Sequence, residues 1–140
     1  MKTTLAALAA AGLFLSGFLA GRVSTVHAQA DRVFELRTYT TLDGKLEDLH
    51  ARFRNHTCRL FEKHGITNIG YFKPMDPPVA SNTLIYLLAH PSRAAARKNF
   101  DAFRSDPAWV KARDESEKAG KIVQKVESVF LEPADYSSLK

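Results

Sequence analysis

One cysteine, Cys58, occurs in 140 residues. No disulfide can therefore close within the chain, and no cysteine-based zinc or iron–sulfur centre can form in one copy. Runs of single-sign charge are also missing. Twenty Lys and Arg face fifteen Asp and Glu, and nowhere do five like charges stand together. The pI near 9.5 thus describes a solvated surface of mixed sign and excludes a nucleic-acid footprint. The sharp catalytic strings are absent as well: no Gly-x-Ser-x-Gly elbow, no Gly-x-x-x-x-Gly-Lys phosphate loop, no Gly-x-Gly-x-x-Gly and no His-Glu-x-x-His. Neither a bound metal nor a cofactor is expected on those grounds. The chain is too short for a TIM barrel, or for a six-stranded dinucleotide-binding fold with a substrate domain. Nine Phe, four Tyr and one Trp exclude a disordered chain. One globular domain remains.

What is present begins with an address. Lys2 precedes an apolar run, Leu5–Ala20, and Arg22 follows it, with Ala28-Gln29-Ala30 further on. A positive start, a modest apolar run and a small-x-small triplet are the parts of a secretory signal peptide. Residues 1–30 are read as that signal, cleaved before Asp31, which makes the protein exported, periplasmic or secreted. The alternative is a retained membrane anchor over residues 3–21, and only in that case does the chain meet a membrane. A spanning helix needs about 20 predominantly apolar residues, and this run is short and diluted by Ala, Gly and Ser. No cysteine follows it and no Arg pair precedes it, which excludes a lipoprotein and argues against a twin-arginine signal. Cleavage removes Lys2 and Arg22 and no acid, so the formal +5 becomes +3.

The remaining domain, 31–140, alternates strand and helix signals. Residues 32–41 are rich in Val, Phe, Tyr and Thr and read as a strand. Leu46, Leu49, Phe53, Leu60 and Phe61 form one apolar stripe on a helix over 46–64, which Gly65 ends. Residues 67–73 make a second strand and 83–89 a third, apolar on both faces. A helix over 93–104 is broken at Asp106-Pro107 and restarts over 108–119, and residues 121–132 form the last strand. The order βαββαβ is the ferredoxin-like arrangement of the α+β class: a four-stranded antiparallel sheet with two helices on one face. The other face keeps its apolar side chains. Two copies packed sheet to sheet would bury it, so a homodimer is expected.

Three segments carry a family likeness. Glu35-Leu36-Arg37-Thr38-Tyr39-Thr40, with Gly44-Lys45-Leu46 and Arg52-Phe53, resembles the opening of the NIPSNAP domain. Asn99 to Trp109, ending in Asp106-Pro107-Ala108-Trp109, is similar to that family's second-helix signature, and Leu131 to Ser137 to its closing strand and tail. The resemblance implies the dimeric α+β-barrel fold. It implies no single reaction, because that superfamily holds cofactor-free oxygenases, isomerases and haem-using enzymes as well as proteins without known activity. An export signal on a single domain also argues against the mitochondrial and trafficking roles linked to animal members.

Histidine is the chemical lead that remains. On a regular helix His50, Thr57 and His64 edge the buried stripe, while Cys58 falls on the polar side. His50 and His64 are the candidate bases, since a neutral imidazole beside a cavity accepts a proton near pH 7; the alternative is a boundary histidine bonded to a neighbour. Arg37 and Tyr39 share a strand face with Glu35 and could hold a polar ligand head by charge-assisted hydrogen bonds, or satisfy one another across strands. The expected ligand-binding set is Arg37, Tyr39, His50, His64 and Tyr71, around a small, mostly apolar ligand. Tyr86 and Trp109 read as core. The expectation is a ligand-binding module, with a cofactor-independent oxygenase or isomerase as the alternative.

Overall fold

Nine consecutive residues rich in β-branched and aromatic side chains open the folded region, and they form the strand the pattern requires, β1 (Val33–Thr41). The computed structural model describes residues 32–140; the proposed signal and its cleavage point before Asp31 lie outside the described residues. A helix, α1, runs over residues 46–63 and ends at Gly65, whose φ of +71° is the left-handed terminator expected there. Next come β2 (Thr67–Phe72) and β3 (Thr83–His90). The second helical stretch is broken as expected into α2 (Arg93–Ser105) and α3 (Pro107–Ser116), and β4 (Val123–Leu131) closes the sheet. Ser92 accepts from Ala95 N–H at the start of α2, and Asp106 from Ala108 N–H at the start of α3.

The strand order is β2-β3-β1-β4, antiparallel throughout. Among the described residues α1, α2 and α3 lie on one face, the α+β arrangement the sequence implies. Arg37 stands opposite Tyr86 on β3 and Ser128 on β4, and Tyr71 of β2 stands opposite Tyr86. Because side chains alternate along a strand, this register puts Glu35, Arg37, Tyr39, Tyr71, Leu84, Tyr86 and Leu88 on the helix side. There they meet Leu49, Phe53, Phe61, Phe100 and Phe103, which are buried. Each such side chain contributes roughly 1.5–3 kcal/mol by leaving water.

The opposite face is apolar and thinly covered. Leu36, Ile85 and Leu87 are half-buried, while Phe72 and Val129 are 56% and 55% exposed. Phe34 is buried, and the C-terminal tail lies beside it: Phe34, Leu87, Tyr136 and Leu139 bound one cavity of about 430 Å³. Among the described residues no helix is long and apolar enough to cross a membrane.

One element departs from its sequence reading. Helix α1 is α-helical over Leu46–Arg52, π-helical over Phe53–Thr57 and α-helical again over Cys58–Lys63. Cys58 N–H donates to the Phe53 carbonyl five residues back, and the Thr57 hydroxyl donates to the Arg52 carbonyl at 3.3 Å. The wider turn holds one extra residue, so everything after it lags a regular helix by about 100°. Cys58 therefore rotates off the polar side. It is half-buried against the core, which corrects its expected exposure.

Candidate functional site

The helix side of β1 carries a charge pair inside an otherwise apolar layer. Arg37 Nη1 donates to Glu35 Oε1 at 2.5 Å, Nε to the Tyr86 hydroxyl at 3.0 Å and Nη2 to the Tyr39 hydroxyl at 3.5 Å. Ser128 Oγ donates to the same Glu35 oxygen at 2.5 Å, and His90 Nε2 lies 3.0 Å from the other. The guanidinium also faces the Phe100 ring, 4.7 Å from its centroid. Burial alone would raise the Glu35 pKa. The hydrogen bonds from His90 and Ser128, with the Arg37 charge, outweigh it and bring Glu35 to about 2. Burial disfavours charge on Arg37 too, yet the Tyr86, Tyr39 and Glu35 oxygens around it leave its pKa raised. Arg37 is thus held by protein groups on both sides of its fork.

Tyr86 is the hub of an aromatic cluster. Tyr71 stacks on it at 5.3 Å with planes 21° apart, and Tyr39 meets it edge-on at 5.3 Å. Phe53 touches all three tyrosines, with centroids 5.2–6.0 Å away. Burial pushes the Tyr71 and Tyr86 hydroxyls above the usual phenol range, so both stay neutral.

Phe53 also divides the cleft between α1 and the sheet. On the β2 side is a pocket of about 310 Å³ lined by His50, Cys58, Tyr71, Phe72 and Leu84, with Arg54 and Lys73 bringing positive charge. On the β4 side a second pocket, about 200 Å³, opens beside Tyr39, Arg52 and Trp109. His50 is 9% exposed, and its Nε2 is buried with no hydrogen-bond partner among the described residues. Burial first, then Lys73 and Arg54, push its pKa down against Glu47, which favours a neutral imidazole. A larger cavity, about 650 Å³, lies apart from these two, at the end of the sheet between Arg32, Arg93, Phe130 and Lys140.

Three of the five expected ligand-binding residues, Arg37, Tyr39 and Tyr71, meet at Tyr86, and His50 joins Tyr71 across the first pocket. His64 stands elsewhere. Its Nε2 lies 2.7 Å from Asp106 Oδ2, an oxygen that also receives Lys63 Nζ at 2.6 Å. Asp106 caps α3, so this trio clasps the end of α1 to the start of α3; Lys63, His64 and the Ala108 N–H hold the Asp106 carboxyl well below its usual range. Sequence reasoning missed His90 and Ser128 and took Tyr86 only as packing. The signal for Ser128 was available: a small hydroxyl in phase with Val126 and Phe130 marks a polar point on the row that shares the helix side with Glu35 and Arg37.

The aromatic cluster and the Asp106-Pro107-Ala108-Trp109 corner bring together the segments whose likeness was noted in the sequence. The NIPSNAP family model matches residues 34–138. The chain belongs to the NIPSNAP family. Among solved structures, a NIPSNAP family protein of unknown function from Agrobacterium tumefaciens matches with a TM-score of 0.68 at 19% identity, over 79% of this chain and 96% of that one. An uncharacterised NIPSNAP-like domain protein from Burkholderia xenovorans gives 0.66 at 15% identity, over 77% and 90%. A second uncharacterised Burkholderia xenovorans NIPSNAP domain protein gives 0.63 at 17%, over 75% and 97%. These likenesses establish the NIPSNAP fold. No curated protein sequence matches the chain.

Proposed function

We propose that this NIPSNAP domain is an exported, homodimeric module that binds a small, mostly apolar ligand between α1 and β2. The observation that carries the reading is His50: a buried imidazole with an unpartnered Nε2, at the wall of a pocket of about 310 Å³. Small-molecule pockets run from roughly 300 to 1,000 Å³, apolar with a few placed polar groups. A buried nitrogen without a partner is destabilising until a ligand or an ordered water satisfies it. Tyr71 and Leu84 supply the apolar wall, while Arg37 and Tyr39 hold Tyr86, and through it Tyr71, in place. Dimerisation would cover Leu36, Ile85, Phe72 and Val129, and export rests on the Leu5–Ala20 run with Ala28-Gln29-Ala30.

Native mass spectrometry of the gently purified exported protein tests all three parts. The expected species is a dimer whose chains begin at Asp31, each carrying an organic ligand, with the ligand lost in His50→Leu. A ligand-free wild-type protein, or equal retention by His50→Leu, overturns the binding reading. Val129→Glu should give monomers by light scattering, and an unchanged mass would remove the sheet-to-sheet dimer. A second reading, a cofactor-independent oxygenase or isomerase, is favoured by the neutral imidazole of His50, which could act as a base. It expects the bound molecule to be consumed in air or rearranged, where the module leaves it unchanged.

A further inference from the structure

The smaller pocket, on the β4 side of Phe53, has a chemistry of its own. Its walls are largely aromatic: Trp109 and Phe103 stand 4.5 Å apart, centroid to centroid, and Tyr39, Phe53 and Phe61 join them in the lining. Over the Trp109 ring, 5.4 Å from its centroid, lies the guanidinium of Arg52, a residue only 5% exposed. The hydrogen bonds described for Arg52 all leave from Nη1, to Glu117 Oε1 at 3.0 Å and Ser116 Oγ at 3.3 Å. Its Nε is buried and has no hydrogen-bond partner among the described residues. These contacts fix the plane of the fork while leaving its Nε–Nη2 edge unused, and that edge matches the two oxygens of a carboxylate. Lys121 adds positive charge at the same pocket, as does Arg113, which is itself paired with Asp114 at 2.8 Å; the acid in the lining is Glu117. The field there favours an anion.

We infer that this pocket takes a small aromatic carboxylate, its ring against Trp109 and Phe103 and its carboxylate on the Nε–Nη2 edge of Arg52. A volume of about 200 Å³ suits a single ring rather than a fused system. A neutral aromatic of the same shape would gain the ring contacts and leave the Arg52 edge unmet. The Asp106-Pro107-Ala108-Trp109 corner acquires a reason in this arrangement. Asp106 caps α3, Pro107 opens its first turn, and Trp109 two residues later becomes the platform beneath Arg52. The site is separated from the His50 pocket by Phe53 and stands whether or not that pocket is occupied.

Trp109 is the sole tryptophan, so its fluorescence reports this pocket directly. Titration of the full chain with sodium benzoate, against sodium chloride at matched ionic strength, should give a saturable change in the millimolar range. Benzyl alcohol, the neutral analogue, should bind about tenfold more weakly or worse, the loss expected for one charged hydrogen-bonded contact. Arg52→Lys keeps the charge and removes the planar edge, and should weaken benzoate by a similar factor. Glu117→Gln removes the competing internal carboxylate at a half-exposed position and should tighten it severalfold. His50→Leu should leave benzoate binding unchanged, which separates this site from the β2-side pocket. No saturable response in either the wild type or Glu117→Gln overturns the inference. So does equal affinity for benzyl alcohol, or full benzoate affinity in a folded Arg52→Lys protein.

Discussion

Arg37 Nε meets the Tyr86 hydroxyl at 3.0 Å because the two residues are direct cross-strand partners on the helix side of the sheet. The same register brings Ser128 to Glu35, and the spacing of two along β1 brings Glu35 to Arg37. An ion pair is thereby held inside an aromatic layer by hydrogen bonds at nearly every vertex. Such a pair adds little net stability while whole, and losing one member is costly.

Arg37→Met should therefore cost about 3 kcal/mol in urea unfolding, by leaving the Glu35 charge buried with only His90 and Ser128 around it. The double variant Glu35→Gln/Arg37→Met should lose less than the sum of its singles, because the two effects share one interaction. Additive losses would show that the two side chains act independently.

Acid should weaken the fold through the same carboxylate. Glu35 falls from an ordinary 4.5 to about 2 in the folded chain. A depressed carboxyl pKa contributes stability that is complete above 4.5 and is lost as pH falls through 2, on the order of 3 kcal/mol over the whole window. Urea midpoints measured from pH 6 down to pH 2 should show this decline, and Glu35→Gln should make it shallower, leaving the part that Asp106 contributes. A wild-type curve as flat as that of Glu35→Gln would contradict the assignment.

At the far end of α1 a different carboxylate serves as a clasp. Asp106→Ala removes the α3 cap together with the partners of Lys63 and His64, and should lower the melting temperature. Asp106→Asn retains an oxygen for the Ala108 N–H but loses the charge, so it should melt between the two. Circular dichroism decides it, and identical melting of Asp106→Ala and wild type would mean the clasp holds nothing.

The fold was legible because its signals are local. The apolar alternation of β3, the stripe on α1, Gly65 and the Asp106-Pro107 break each act over a few residues, and together they imply the element order. The site was less legible, since it depends on register. Nothing local says that Ser128 faces Glu35 across 93 residues, or that His90 reaches the carboxylate from β3. His64 illustrates the limit from the other side. Its place on the helical wheel pointed to the cleft, but the wheel assumes a regular helix, and the partner that claims it, Asp106, comes from the junction of α2 and α3.

The π turn at Phe53–Thr57 has a consequence for lineage. It gives α1 two segments with different phase: Leu46 to Arg52 answers to one set of neighbours, and Cys58 to Lys63 to another. Deleting one residue within the turn would restore an ordinary helix and swing Cys58, Leu60 and Phe61 round by about a residue's angle. A descendant that lost the extra residue would have to exchange its inward-facing side chains downstream at the same time. An alignment of kin drawn without a gap here would pair residues that face different ways, so the length of this helix carries as much ancestry as its letters.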